Sequence, residues 1–321
     1  MAAGNRKNPQ RAKSSESRYS LVEFMRDFPD DDACLEWLWS TRYLNEDGSA
    51  YCPKCSCNRT FAKYATKQQR QSWTCTSCGQ HVHPTAGTIF HKSSTSLHLW
   101  FYAMYLMTST RCGISAKQLE RELGVTYKTA WRMFHLIRNE LMYQDDAPLA
   151  GEVEMDEMYV GGKSKRLGDK PKSGRPAVGG KLQPVFGMVE RGGRVRAMHV
   201  EDTKTVTLLP HVVKHVVPES VVYTDEYTTY KSLPRHGYDH RTIRHNDRVY
   251  VSGDVHTQTI EGFWSLVKRG LSGTHHMVSA KHLQGYLNEY AFRYNHRDQN
   301  DDHDGPSLFA LLILRAALTR V

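Results

Sequence analysis

The sequence predicts a mixed α/β core preceded by a small cysteine-bearing module and a three-helix segment. Three observations carry this. Two C-x2-C pairs, Cys52/Cys55 and Cys75/Cys78, lie 19 residues apart. Residues 113–134 follow a helix-turn-helix pattern, and residues 152–224 read strand, hairpin, strand, helix, strand before helices return.

The chain has 321 residues, 39% of them hydrophobic and 10% aromatic, which suffices for two or three domains with real cores. Its formal charge of +9 favours a polyanionic partner. No run of 18 apolar residues occurs, so no membrane span is expected, and the N-terminus lacks the apolar middle of a secretory signal. The paired cysteines then read as metal ligands in a reducing compartment, the cytoplasm, rather than as disulfides.

Residues 1–19 are expected to be a disordered basic arm with almost no apolar content; a solvated tail and a DNA-touching arm both fit it. Residues 20–92 combine two short helices, interrupted at Pro29-Asp-Asp-Asp, with the cysteine module. Two thiolates from each knuckle complete a structural zinc site with no open position, so Zn²⁺ here would hold the fold and do no chemistry. Arg59, Lys63, Lys67, Arg70 and Trp73 suit nucleic acid, or equally an ordinary solvated ribbon surface. Cys57, His81 and His83 are expected to be unliganded neighbours.

Residues 93–146 are expected to form a helix-turn-helix DNA-binding domain, helical over 94–143, with 144–150 as a linker. Leu97–Met107 is the apolar first helix, Ser115–Leu123 the second and Thr126–Tyr143 the third. Gly124 sits where the turn needs positive φ, and Ser115 and Thr126 are natural N-caps. Tyr127, Lys128, Thr129 and Arg132 would project from the start of the third helix, where such a motif meets the major groove; packing or dimerisation are the other uses of this motif.

Residues 147–300 form the α/β region, and 301–321 a C-terminal helix. Strands are expected at Glu152–Val160, Gln183–Glu190, Arg194–Val200 and Val221–Thr224, with a helix at Val206–Val217. Alternation puts Glu154 and Asp156 on one face of the first strand and Glu157 on the other. Asp225 ends the fourth. If those two strands are neighbours, Asp156 and Asp225 converge, and Glu261, near the start of a helix over Thr257–Gly270, can complete an oxygen-only cluster suited to Mg²⁺ or Mn²⁺. Each acid also has a mundane reading, Asp225 as a cap and Glu261 as a helix-start acid. Ile260, Phe263, Trp264 and Val267 form the docking stripe of that helix, with Lys268 and Arg269 left to meet phosphate.

At these residues the chain resembles the zinc-ribbon DDE insertion-sequence transposases, bacterial relatives of Merlin-type transposons. The resemblance rests on FPDDDACLEWLW with YCPKCS, on GISAKQLERELGVTYKTAWRMFHLIR, on GEVEMDEMYVGGK, on YTDEY, and on HTQTIEGFWSLVKRGLSGTHH through HLQGYLNEYAFRYNHR. It implies a ribonuclease-H-like catalytic core, behind the zinc ribbon and the helix-turn-helix domain, with Asp156, Asp225 and Glu261 as metal-binding triad. It also implies double-stranded DNA partners, terminal inverted repeats and target. The implied chemistry is cutting at the element's ends followed by transfer of the 3′-hydroxyl strand, in a homodimer or larger synaptic assembly. A basic loop over Lys163–Lys181 is expected to close on DNA backbone, or to be a solvated hairpin extension. His256, His275 and His276 are expected to be structural rather than phosphate-positioning. A DNA-binding regulator on the same fold, and a metal-dependent nuclease without strand transfer, are the rival readings.

Overall fold

The computed structural model describes residues 19–64, 71–110, 112–161, 182–242, 257–276, 278–297 and 306–320. It divides into two compact units, one of residues 1–111, 119–126 and 300–321, the other of residues 112–118 and 127–299. No helix among the described residues is long and apolar enough to cross a membrane.

In the first unit, α1 (Leu21–Asp27) begins with a capping box between Ser20 and Glu23, and α2 (Asp31–Tyr43) is capped by Asp30. Helices α3 (Leu97–Ser109) and α9 (Leu308–Leu318) pack beside them, with Phe24, Phe28, Phe101, Tyr105 and Phe309 in mutual ring contact. The cysteine module is built of β1 (Ala50–Cys52), β2 (Cys57–Arg59), β3 (Phe61–Tyr64), β4 (Ser72–Cys75) and β5 (His81–Val82). Trp73 is not a surface aromatic: it is 4% exposed and stacks on Trp39 of α2 at 4.8 Å. Lys63 is tied to Glu36 at 2.9 Å. These two residues serve the module's attachment to α2, and Lys67 and Arg70 lie outside the described residues.

Helix α4 (Ala116–Leu123) starts at Ser115, whose hydroxyl accepts the Gln118 amide at 3.1 Å, and ends at Gly124, φ +63°. Helix α5 (Tyr127–Leu136) is shorter than the sequence predicts. A π-helical turn, Ile137–Leu141, replaces its last part.

The second unit is organised on a five-stranded sheet. Strands β6 (Glu152–Gly161), β7 (Leu182–Glu190) and β8 (Val195–His199) form an antiparallel meander. After α6 (Thr205–His215), β9 (Val221–Thr224) adds parallel to the free edge of β6, and β10 (Asp239–Thr242) adds parallel to β9. The order is β10-β9-β6-β7-β8. The first and fourth strands are thus neighbours, as the sequence predicts. One face of the sheet carries a core of Val153, Met155, Phe186, Met188, Leu208, Val212, Val222 and Tyr230. Helix α7 (Gln258–Gly270), a π-helical turn over Leu271–His275 and α8 (Ala280–Asn295) complete the unit.

Candidate active site

Strand β6 alternates strictly. Val153 and Met155 enter the core, while Glu154 and Asp156 share the opposite face with α7. Glu157, on the core side, accepts the Tyr230 hydroxyl at 2.5 Å, and burial with that carboxylate drives the phenol's pKa up.

Glu154 is wholly buried and fully used. Its Oε1 accepts Arg191 Nε at 2.8 Å and the Thr259 hydroxyl at 3.0 Å; its Oε2 accepts the amides of Thr259 at 2.8 Å and Ile260 at 3.0 Å. Helix α7 has no side-chain cap from its own Thr257, so the strand supplies it. Arg191 in turn lies over the Tyr223 ring at 4.0 Å, and Tyr223 is the β9 residue paired with Glu154. Its place is structural, and the partners that define it lie far along the chain: Arg191 37 residues away, Thr259 and Ile260 more than 100.

Pairing between β6 and β9 runs Glu152 with Val221, Val153 with Val222 and Glu154 with Tyr223. The pairing stops there; Asp225 follows the end of β9, and its charge acts on Asp156. Asp225 accepts the Tyr227 amide at 2.9 Å, a local turn contact. Glu261 sits exposed in the first turn of α7 and accepts the Thr257 hydroxyl at 3.3 Å. Burial raises the Asp156 pKa to about 6, and the charges of Asp225 and Glu261 add to the rise; the Glu157 amide and the Trp264 indole oppose it. Carboxylates of this kind, with the charges of Asp225 and Glu261 acting on Asp156, are hard-oxygen donors of the type that suits a divalent cation such as Mg²⁺ or Mn²⁺. Among the described residues only the four cysteines bring three or more potential ligand atoms within 4.8 Å of one another; Asp156, Asp225 and Glu261 do not.

The floor beneath Asp156 is set by Gly187, its partner on β7. A Cβ there would come within 2.3 Å of the Trp264 ring and 3.0 Å of Ile260 Cδ1. The Trp264 ring therefore fills the space over Gly187, its Nε1 buried without a hydrogen bond of regular geometry but acting to lower the Asp156 pKa. Ile260, Phe263, Trp264 and Val267 are all buried, as the helical stripe requires.

Lys268 and Arg269 are exposed in the last turn of α7. Lys268 borders a cleft of ≈370 Å³ that begins two residues beyond Asp156, with Met158, Val160, Leu271, Ser272 and His276 along it. His275 is largely buried, and His276 contacts the Ser272 carbonyl at 3.1 Å. At the other candidate interface Tyr127, Lys128 and Arg132 are exposed and Thr129 is half-buried. His256 and the basic segment 163–181 lie outside the described residues.

The four sulfurs of Cys52, Cys55, Cys75 and Cys78 converge within 4.8 Å, a four-thiolate set compatible with structural zinc; Cys57, His81 and His83 stay out of it. Burial works against the Cys75 thiolate, but the Ser77 and Cys78 amides draw its pKa down to about 7.

Comparison with known proteins places the chain. A family model described as an ISXO2-like transposase domain matches residues 148–295. An uncharacterized protein in transposable element ISH50 of Halobacterium salinarum is 32% identical over 256 residues, covering 76% of this chain and 84% of that one. An uncharacterized transposase-like protein of Haemophilus influenzae is 29% identical over 105 residues, 33% of this chain and 84% of the other. Among solved structures, a chain of the simian T-cell lymphotropic virus intasome in complex with PP2A regulatory subunit B56 gamma overlaps 58% of this chain and 66% of its own length. At 17% identity and a TM-score of 0.29, that overlap fixes no residue correspondence. On the family match and the Halobacterium relative, the chain belongs to the ISXO2-like transposase family.

Proposed function

We propose that this transposase binds the terminal inverted repeats of an insertion sequence, cuts at the element's ends and joins the 3′-hydroxyl strand to target DNA. The observation that supports it most is that the charges of Asp225 and Glu261 act on Asp156 near the end of the β6–β9 pairing, while Glu154 anchors the helix of Glu261 to the same strand. The sheet order, an antiparallel meander extended by two parallel strands, supports a ribonuclease-H-like reading of residues 147–300.

Asp156, Asp225 and Glu261 would hold Mg²⁺ or Mn²⁺. Divalent ions there supply charge stabilisation to the attacking and leaving oxygens of an in-line displacement at phosphorus. The chain's own contribution is positioning. Glu154 and Arg191 fix the start of α7, Trp264 closes the floor under Asp156 against water, and Lys268 with Arg269 meets neighbouring phosphates. Tyr127, Lys128, Thr129 and Arg132 would read the repeats, supported by the zinc-held module of residues 20–92, in a homodimer or larger synaptic assembly.

The test is a cutting and joining assay on labelled DNA carrying the element's flanking repeats, with Mg²⁺, Mn²⁺ or EDTA. Metal-dependent joined products support the proposal. Cutting without joining would make the protein a nuclease, and specific binding without either reaction would make it a regulator on an inherited fold.

A further inference from the structure

Arg138 lies in the π-helical turn that continues α5 and is 2% exposed. Its Nε and Nη2 reach Glu289 Oε2 at 2.6 and 2.5 Å, and Arg293, one turn further along α8, gives Nη2 to Oε1 at 2.8 Å. The Arg138 guanidinium is also clasped by two rings, Phe134 of α5 at 3.5 Å and Tyr286 of α8 at 3.8 Å. Its Nη2 stands 3.4 Å from His275 Nε2, in the turn that ends α7.

Burial opposes the Glu289 charge, yet Arg138 and Arg293 hold its pKa at about 2. Burial, reinforced by Arg138, pushes His275 down to about 4 and keeps it neutral. The backbones close tightly around this group. A Cβ at Gly285 would fall 2.7 Å from Asn139 Oδ1, and one at Gly113 3.0 Å from Glu289 Oε1. Earlier on α5, Trp131 and His135 both meet the His282 ring edge-on, at 5.3 and 5.1 Å.

Such a group is a weak source of stability, since well-packed apolar residues often do as well. A guanidinium whose Nε and Nη2 both reach one carboxylate oxygen while it lies against two rings that meet edge-on is, however, demanding in geometry. It joins three elements: α5, whose first half displays Tyr127, Lys128 and Arg132; α8; and the end of α7, which carries Glu261 and Lys268.

We infer that Arg138 is a positioning residue that fixes the DNA-reading end of α5 relative to Glu261, and so selects which phosphodiester bond is presented for cutting. The inference rests on the function proposed above and adds a residue to it. Arg138→Lys keeps the charge and loses the fork; Arg138→Met removes both. End binding, cut position at nucleotide resolution, and amide exchange over residues 257–275 with and without end DNA are measured for both variants and the wild type. The His275 ring titration reports whether the guanidinium has left.

For Arg138→Lys the expected result is end affinity within about twofold of wild type, with cutting at the wild-type bond lowered about tenfold or more and spread onto neighbouring bonds. End DNA protects the α7 amides in the wild type and not in the variant. A shifted His275 titration with unchanged cut position and rate overturns the inference. Should the wild type bind ends without cutting, the catalytic proposal fails, and the exchange result still judges Arg138: no protection of α7 on binding overturns the inference. A wild type that binds no end DNA overturns both.

Discussion

The Glu154 carboxylate accepts the Ile260 amide at 3.0 Å, so the first strand of the sheet caps the helix that carries Glu261. With the Thr259 amide and Arg191 on the same group, one buried acid ties β6, the β7–β8 turn and α7 together. This separates two kinds of acid on one strand face, one that builds the site and one, Asp156, that faces its charge.

Replacing the builder should therefore cost stability. Glu154→Gln leaves Arg191 without its buried partner and weakens the α7 cap, and should destabilise the second unit by about 2–4 kcal/mol. Glu152→Gln, whose pair with Arg191 is at the half-exposed strand start, should cost well under ~1 kcal/mol. Urea unfolding compares the two; equal costs would mean Glu154 has no special place.

Asp156 should behave oppositely. Its folded pKa of about 6 lies above the unfolded value, so its contribution is fully present below the unfolded pKa and is lost as pH rises through about 6. In EDTA, wild-type stability should lose on the order of 1–2 kcal/mol to this group between pH 5 and 7.5. Asp156→Asn should lack that component, so the difference between the two proteins isolates it. Mg²⁺ at pH 7.5 should stabilise the wild type and leave Asp156→Asn unchanged; thermal unfolding of both proteins reads all three conditions.

Gly187→Ala places a methyl group where the Trp264 ring lies, 2.3 Å away. Overpacking of this kind should cost about 1–3 kcal/mol and lift Trp264 off the strand. Near-ultraviolet dichroism should change and end cutting should fall. A variant of wild-type stability and spectrum would show that the floor under Asp156 is loosely packed.

The cysteine cluster should bind one zinc per chain, and its removal should unfold the module around it. Cys55→Ser or a strong chelator should abolish the Trp39–Trp73 stacking signal. Elemental analysis with fluorescence checks this, and an intact stacking signal in metal-free protein would contradict it.

Much of this was legible because burial is periodic. The stripe Ile260, Phe263, Trp264, Val267 and the apolar run before Asp225 announce their elements in order, and β9 has the expected bounds, Val221–Thr224. Strand β10 was not legible: Asp-His-Arg-Thr is polar, exposed at three of four positions, and pairs only at an edge. The π-helical turn after Leu136 was hidden because residues 126–143 keep a helical pattern throughout, and Arg138 within that turn bonds Glu289, a partner 151 residues on. Glu154 shows the same limit. Sequence reveals an acid in a strand, but whether it faces a cation or a helix start depends on partners that only folding brings near.

The central claim is that Asp156, Asp225 and Glu261 act as one metal-dependent centre. The most direct measurement is the rate of end cutting in Mg²⁺ for Asp156→Asn, Asp225→Asn, Glu261→Gln and the Asp156→Asn/Glu261→Gln double variant. All must bind end DNA like the wild type. Each single change should lower the rate by about 10³-fold or more, with the double variant no worse than the worse single, as residues acting as a unit require. A single variant that cuts at the wild-type rate, or losses that multiply in the double, would contradict it.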